Sequence, residues 1–149
     1  MLLQGKKAIV TGGTRGIGFA VVQTFLRNGA SVALFGSRQE TVDKALAALG
    51  AENPDWEVIG MAPDLTDYAA VDAAFAEVEK AFGRIDILVN NAGISAREPL
   101  YDYTPEAFEN IMRLNVSAVF NGCRAAAPRM KAQGGGSIIN TSSMVSLYG

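Results

Sequence analysis

The chain has 149 residues and a net charge of −2, from 13 basic against 15 acidic residues, with no histidine and one cysteine. This length predicts one domain, residues 1–149. No run of like charges is present, so we expect neither nucleic acid nor a membrane surface as a partner. The lone Cys123 excludes an internal disulfide, and with no histidine we expect no metal. No stretch of 18 apolar residues occurs and the start is charged too early for a secretory signal, so we expect a cytoplasmic protein.

Apolar runs and amphipathic stretches alternate along the chain. Five apolar runs predict strands, at 7–10, 31–35, 56–61, 85–89 and 137–141. Four intervals carry apolar residues at helical spacing and predict helices, which end at Asn28-Gly29, before Gly50, at Gly83 and near Lys131. Ser37 with Glu40 predicts a capping box at the second helix, and Thr104 with Pro105 predicts the start of the fourth.

This alternation indicates an α/β fold. Strands of almost continuous apolar residues, separated by amphipathic helices, are typical of a parallel sheet that is covered on both faces. Right-handed crossovers then favour a doubly wound, three-layer α/β/α arrangement of the Rossmann type, which here stops after the fifth strand. Ligands of such sheets bind beyond the carboxyl ends of the strands. We therefore expect the functional residues directly after each apolar run.

Residues 11–18, Thr-Gly-Gly-Thr-Arg-Gly-Ile-Gly, join the first strand to the first helix. A pyrophosphate needs backbone N–H groups directed at it and room for the backbone to approach, and glycine supplies that room. The alternative is a strand-to-helix turn that is glycine-rich for structural reasons alone. The spacing Gly12-x-x-x-Gly16-x-Gly18 differs from the more common dinucleotide pattern, in which two glycines stand one residue apart and a third follows.

This spacing resembles that of the short-chain dehydrogenase/reductase family, and further stretches agree with the family's motifs in order and separation. They are Asp64-Leu65, Asn90-Asn91-Ala92-Gly93, Leu114-Asn115-Val116 and 136–143, which ends in Ser142-Ser143. The resemblance covers the whole chain. It implies a nicotinamide-dependent oxidoreductase that transfers a hydride between the cofactor and a carbonyl or secondary alcohol. It also implies cofactor-binding residues, namely Gly12, Thr14, Arg15, Gly16, Ile17, Gly18, Ser37, Arg38, Asp64, Leu65, Asn91, Ala92 and Gly93.

The resemblance further implies individual roles, each of which has a structural alternative. Asp64 would meet the adenine amino group. Asn91 would either contact the cofactor or tie neighbouring strands together. Asn115 would be the catalytic asparagine that holds a water in a proton relay, or else a surface polar residue; the apolar residues on its turn favour a buried amide. Ser143, rather than Ser142, would orient the substrate carbonyl.

The choice between NAD and NADP depends on charge near the adenosine ribose. An acidic residue at the end of the second strand usually holds the 2′-hydroxyl of NAD, whereas arginine or lysine suits the 2′-phosphate of NADP. Here that strand is followed by Gly36-Ser37-Arg38, with no carboxylate. Arg15 and Arg38 favour NADP, although Arg38 lies one residue later than the family's usual basic position. NAD stays open as the alternative.

The family's proton donor belongs to a Tyr-x-x-x-Lys motif, which does not occur in these 149 residues. Tyr148 follows Ser143 too closely to replace it. We therefore expect the chain as given to be inactive and the parent protein to be the enzyme, acting on a small-molecule carbonyl or alcohol. The alternative is a non-catalytic nucleotide-binding fragment. The resemblance also implies a homo-oligomer, a dimer or tetramer, in which the long helix 105–131 packs against its counterpart.

Overall fold

A computed structural model describes residues 1–148 and contains one parallel sheet of five strands. The strands are β1 (Lys7–Thr11), β2 (Ser31–Phe35), β3 (Val58–Met61), β4 (Ile87–Asn90) and β5 (Ser137–Asn140). Their order across the sheet is β3-β2-β1-β4-β5, and every neighbouring pair is parallel. The helices are α1 (Gly16–Arg27), α2 (Gln39–Glu52), α3 (Tyr68–Phe82), α4 (Pro105–Met112), α5 (Ala118–Ala132) and α6 (Val145–Tyr148).

Both faces of the sheet are covered, as the apolar strands predict. Successive side chains of a strand point to opposite faces. Ile9 of β1 therefore packs with α3 and α5, whereas Ala8 and Val10 pack with α1 and α2. Phe35 and Phe75 make an edge-to-face contact at the centre of the first of these layers. The three-layer, doubly wound α/β fold is thus confirmed for the described residues.

Two predicted strands begin later in the structure. The strand predicted from 56 begins at Val58, and the one predicted from 85 begins at Ile87. Asp86, directly before β4, still hydrogen-bonds to both neighbouring strands: its N–H donates to the Lys7 carbonyl and its carbonyl accepts the Ser137 N–H, both at 2.8 Å. Its carboxylate also accepts the backbone N–H of Lys7 at 2.9 Å. The last strand of the sheet order, β5, forms an edge of the sheet, and its residues Ile138 and Ile139 are 36% and 48% exposed.

The start and end of α2 differ from the prediction. Ser37 and Glu40 form no capping box, because the helix begins at Gln39 and its N-cap is Arg38, with no capping side chain. Ser37 lies one residue too early and instead borders a cleft described below. The helix also continues through Gly50 to Glu52, since Asn53 and the following proline provide the stop.

The long helix predicted for 105–131 is interrupted. It starts as predicted, where the Thr104 hydroxyl accepts the Ala107 N–H at 3.1 Å. A π-helical segment, Arg113–Ser117, then separates α4 from α5. Such single π turns occur frequently at functional sites, and this one contains Asn115. No helix within residues 1–148 is long and apolar enough to cross a membrane.

Charged and polar side chains link the amino ends of β1 and β2 to Glu57, which directly precedes β3. Lys7 donates from Nζ to Ser31 Oγ at 2.7 Å and to Glu57 Oε2 at 2.8 Å, and the Ser31 hydroxyl also donates to Glu57. These hydrogen bonds, led by that from Lys7, lower the pKa of the Glu57 carboxyl below its usual value. The network lies opposite the end of the sheet where ligands bind in this architecture.

Candidate functional site

A cleft of about 720 Å³ lies at the carboxyl ends of the first four strands. From β1 the sheet continues to β2 on one side and to β4 on the other. This is the switch point at which doubly wound sheets bind their ligands. The volume falls within the range of about 300–1,000 Å³ that small-molecule sites occupy.

The structure brings most of the predicted site residues together around this cleft. Twelve of the thirteen predicted cofactor-binding residues line it, and Arg38 is the exception. Six further lining residues are not among these thirteen, namely Phe35, Gly36, Ala62, Pro63, Ile94 and Leu114. Leu114 belongs to the motif 114–116, and each of the other five lies within two residues of a predicted cofactor-binding residue.

The glycine-rich turn allows two chain segments to touch. Gly12 has a φ of +65° and Gly16 a φ of +56°, in the left-handed region that side chains disfavour. A Cβ placed on Gly18 would overlap the carbonyl oxygen of Gly12 and lie 2.6 Å from Nδ2 of Asn91. The start of α1 therefore packs directly on the backbone of the turn, and only glycine permits this at position 18.

The turn is fixed to the segment after β4 by hydrogen bonds. The Thr11 hydroxyl accepts the backbone N–H groups of Asn91 and Ala92, both at 3.0 Å. The Asn91 amide donates to the carbonyls of Thr11 and Gly12 at 3.2 and 3.4 Å. Two roles were considered for Asn91. The structure shows one of them directly, because the Asn91 side chain links the segment after β4 to the end of β1. Its side chain also borders the cleft.

The N-terminus of α1 provides a suitable environment for an anion. The first turn contains no acidic residue, and its N-cap, Arg15, has an extended backbone. The first N–H groups of any α-helix have no acceptor within the helix, and the helix dipole favours negative charge there. Together with the room left by Gly16 and Gly18, this end of α1 fits a pyrophosphate.

The β3–α3 loop, residues 62–66, forms another wall of the cleft. The Asp64 carboxylate accepts the hydroxyl of Thr66 at 2.7 Å and its backbone N–H at 2.9 Å. These bonds, the hydroxyl first, lower the pKa of Asp64 below its ordinary value. Asp64 is exposed and lines the cleft. It is therefore charged near neutral pH and able to accept from an amino group.

The end of β2 is crowded at the position where an acidic residue would hold NAD. A Cβ on Gly36 would lie 2.6 Å from Cγ2 of Thr14 and 2.7 Å from Cγ2 of Val42. Any side chain there would require its neighbours to move. Arg15 and Ser37 both border the cleft. Arg38 is exposed and lies outside the cleft lining.

The two predicted catalytic residues lie outside the lining of the cleft. Asn115 is exposed, which contradicts the expected burial, and its amide pairs fully with the backbone of Ile94: Nδ2 donates to the carbonyl at 2.7 Å, and Oδ1 accepts the N–H at 2.8 Å. Leu114 beside it lines the cleft. Ser143 is exposed after β5, and its Oγ accepts the N–H of Val145 at 3.3 Å.

The fold and the cleft define a Rossmann-type, dinucleotide-binding class of protein. Residues 6–149 match the family model described as short chain dehydrogenase. The chain therefore belongs to the short-chain dehydrogenase family.

Named relatives agree with this assignment. The chain is 60% identical, over its whole length, to 3alpha-hydroxysteroid dehydrogenase of Mediterraneibacter gnavus, of which it covers 60%. It is 39% identical to the NADP-dependent (R)-specific alcohol dehydrogenase of Lentilactobacillus kefiri, over 99% of this chain and 58% of that protein. The crystal structure of NAD⁺-bound xylitol dehydrogenase superimposes with a TM-score of 0.93 at 32% identity, over 100% of this chain and 57% of that one. The chain thus spans about 60% of the length of its curated relatives.

Proposed function

We propose that the intact protein is an NAD(P)-dependent oxidoreductase that transfers a hydride between nicotinamide and a carbonyl or secondary alcohol, and that this chain supplies its cofactor-binding part. The observation that carries the proposal is the cleft at the switch point of the sheet, which twelve of the thirteen predicted cofactor-binding residues line. When bound, the nicotinamide ring supplies or accepts the hydride.

Side chains and backbone groups of the protein would bind the cofactor and orient the substrate. The first-turn N–H groups of α1 would hold the pyrophosphate, and Asp64 would accept the adenine amino group. Asn115 would fix the segment after β4, through Ile94, beside the reacting end of the cofactor. Ser143 would orient the substrate carbonyl from the end of β5. A Tyr-x-x-x-Lys motif elsewhere in the intact protein would complete the proton transfer.

We propose NADP as the preferred cofactor. Arg15 borders the cleft, Ser37 offers a hydroxyl beside it, and no carboxylate stands at the end of β2. A guanidinium group forms strong, paired hydrogen bonds to phosphate oxygens. Arg38 lies outside the cleft lining and would have to turn inward to contribute. Arg15 is therefore the stronger candidate for contact with the 2′-phosphate.

Calorimetric titration of the intact protein with NADPH and NADH tests this preference. Trp56 fluorescence is a poor probe, because Trp56 borders a different depression together with Met1 and Lys7, at the amino ends of the strands. We expect tighter binding of NADPH than of NADH, and Arg15→Ala to remove most of the difference. Lys131→Ala is the matched control, since it removes the same charge from the exposed end of α5. Equal affinities for the two cofactors in the unsubstituted protein would contradict the preference.

For the substrate, we propose a hydroxysteroid that is oxidised, or the corresponding oxosteroid that is reduced, at a ring carbon, because the relative at 60% identity is a 3alpha-hydroxysteroid dehydrogenase. Small ketones form the comparison set, because a less similar relative is an alcohol dehydrogenase. The assay follows NADPH absorbance with a 3-oxosteroid and with a small ketone in parallel. Tight cofactor binding without turnover of any carbonyl compound would instead favour the second candidate, a non-catalytic nucleotide-binding protein.

We further propose that the intact protein is a homo-oligomer in which the stretch from α4 to α5 pairs with its counterpart. Four large apolar residues are exposed at intervals of four along this stretch: Phe108 (57%), Met112 (41%), Val116 (51%) and Phe120 (62%). A stripe of this kind suits a self-complementary interface around a two-fold axis. Light scattering should show a lower mass for Phe120→Glu and an unchanged mass for the control Leu2→Glu, which lies outside the stripe. An unchanged mass for Phe120→Glu would refute this interface.

A further inference from the structure

In the β3–α3 loop, residues 62–66, Ala62 and Leu65 pack against the hydrophobic clusters, and most hydrogen bonds are local. Asp64 accepts from Thr66 through its side chain and from the Asp67 N–H, at 3.1 Å, through its carbonyl. Pro63 has no N–H to donate. Ala62, Pro63, Asp64 and Leu65 nevertheless all border the cleft. The shape of this wall therefore depends on what anchors the loop to the rest of the protein.

One side chain from α5 provides a hydrogen-bonding anchor. Asn121 is 7% exposed, and its Nδ2 donates to the carbonyl oxygen of Leu65 at 3.0 Å. Among the hydrogen bonds found within residues 1–148, this is the one that joins residues 62–66 to another element. The flank of the loop is held by the same helix, because the Arg124 guanidinium stacks on the Tyr68 ring at 4.1 Å.

Asn121 is a buried polar residue on a face of α5 that is otherwise small or apolar. Its neighbours on that face are small or apolar, namely Ala118, Gly122, Ala125 and Ala126. A buried amide must find a partner, and an apolar residue at 121 would leave the Leu65 carbonyl without this donor. The contact fixes a backbone group of the cleft wall while the side chain itself stays outside the cleft lining.

We infer that Asn121 is a positioning residue that sets the adenine end of the cofactor cleft by holding the β3–α3 loop. The inference rests on the proposed function, since it concerns the loop that carries Asp64. The other end of the cleft is held separately, by Thr11 and by the pairing of Asn115 with Ile94. Loss of Asn121 should therefore weaken ligands that contain adenosine and spare those that contain only the nicotinamide half.

The test compares Asn121→Leu with Gln133→Leu in the intact protein. Gln133 is a matched control, because its side-chain amide also follows α5 and donates to backbone carbonyls, those of Ile85 at 2.6 Å and Gly135 at 3.0 Å, but at the opposite end of the sheet. Each variant is titrated with NADPH, adenosine 2′,5′-bisphosphate and reduced nicotinamide mononucleotide. Asn121→Leu should lower the affinity for the first two by about threefold to tenfold, the effect of one net hydrogen bond, and leave the third unchanged. Gln133→Leu should leave all three unchanged.

A second measurement does not depend on the cofactor. Hydrogen exchange in the ligand-free protein should be faster at the amides of Thr66 and Asp67 in Asn121→Leu, and unaltered there in Gln133→Leu. If leucine prevents folding, Asn121→Ala removes the same donor without adding volume. Unchanged exchange in the loop, or an equal loss of affinity for both halves of the cofactor, would overturn the inference. Failure of the unsubstituted protein to bind NADPH would refute the proposed function instead, and the exchange experiment would still decide the role of Asn121.

Discussion

Substitution of Gly18 by alanine tests the packing that forms the cofactor cleft. The new Cβ would overlap the Gly12 carbonyl oxygen and lie 2.6 Å from Nδ2 of Asn91, whereas real Cβ atoms do not approach other heavy atoms closer than 3.0 Å. The Asn91 amide must therefore retreat by at least about 0.4 Å, and the carbonyl by more. Both groups belong to the hydrogen bonds that join the glycine-rich turn to the segment after β4.

The magnitude follows from two contributions. Inserting a methyl group into a well-packed site costs about 1–3 kcal/mol of unfolding free energy. Weakening of the Asn91 hydrogen bonds adds up to about 1 kcal/mol. The displaced turn also moves the first N–H groups of α1 away from a bound pyrophosphate. We therefore expect Gly18→Ala to lose about 1–4 kcal/mol of stability and most of its affinity for NADPH.

The assay is thermal unfolding of the intact protein with and without NADPH, because a ligand that binds only the folded state raises the transition temperature. Gly50→Ala is the matched control: Gly50 is an exposed residue of α2, and a Cβ there would meet nothing within 4 Å. That variant should gain about 0.5–1 kcal/mol, as alanine does over glycine inside a helix, and keep its full response to NADPH. If Gly18→Ala resembled Gly50→Ala in both respects, the close-approach argument would be wrong.

Three further outcomes are expected from contacts seen in the structure. Thr11→Val should cost about 2 kcal/mol in urea unfolding, because the hydroxyl that accepts two backbone N–H groups is lost, whereas Thr11→Ser should retain stability. Asn115→Leu should speed hydrogen exchange at the amide of Ile94, whose partner it removes, and protection equal to the unsubstituted protein would count against this pairing. Because the folded-state pKa of Glu57 is depressed, chiefly by Lys7, its contribution to stability is present above its ordinary pKa of 4.5 and is lost as the pH falls through the lower folded value. As the pH is lowered below 4.5, the free energy of unfolding should therefore decrease more steeply for the unsubstituted protein than for Glu57→Gln. The same pH dependence in both proteins would contradict this.

Much of the fold could be predicted because β1, β2 and β4 are buried on both faces of the sheet. Short apolar runs such as Ser31–Phe35 are buried at every residue, so hydrophobicity alone indicates them. The errors lie at the ends of elements. The fourth strand begins at Ile87 rather than Ile85, and Arg38 rather than Ser37 precedes α2. A hydrophobic pattern does not fix the first residue of an element, since a residue such as Asp86 keeps backbone hydrogen bonds to both neighbouring strands just before the regular strand begins.

The site was predictable to the extent that its residues directly follow strands. The glycine-rich turn and the segment around Asn91 meet at the switch point because parallel strands end at one edge of the sheet. The pairing of Asn115 with Ile94 was not predictable, since it joins residues 21 positions apart through a π-helical turn. The contact of Asn121 with Leu65 spans 56 positions, and its one sequence signal is a polar residue on an otherwise small and apolar helix face.

These two asparagines show how one helical stretch shapes a cleft that its own residues barely enter. Asn115 and Asn121 are six positions apart, so they do not share a face of a regular helix, on which residues three and four apart are neighbours. Each therefore reaches a different wall: Asn115 contacts the segment after β4, and Asn121 contacts the loop after β3. Residues placed to contact a cofactor lie directly after the strands. Residues that fix the distance between the two walls lie instead on a helical stretch that passes close to both walls. Substitutions of Asn115 and Asn121 should accordingly alter cofactor affinity through the position of the walls, and substitutions in the glycine-rich turn through direct contact.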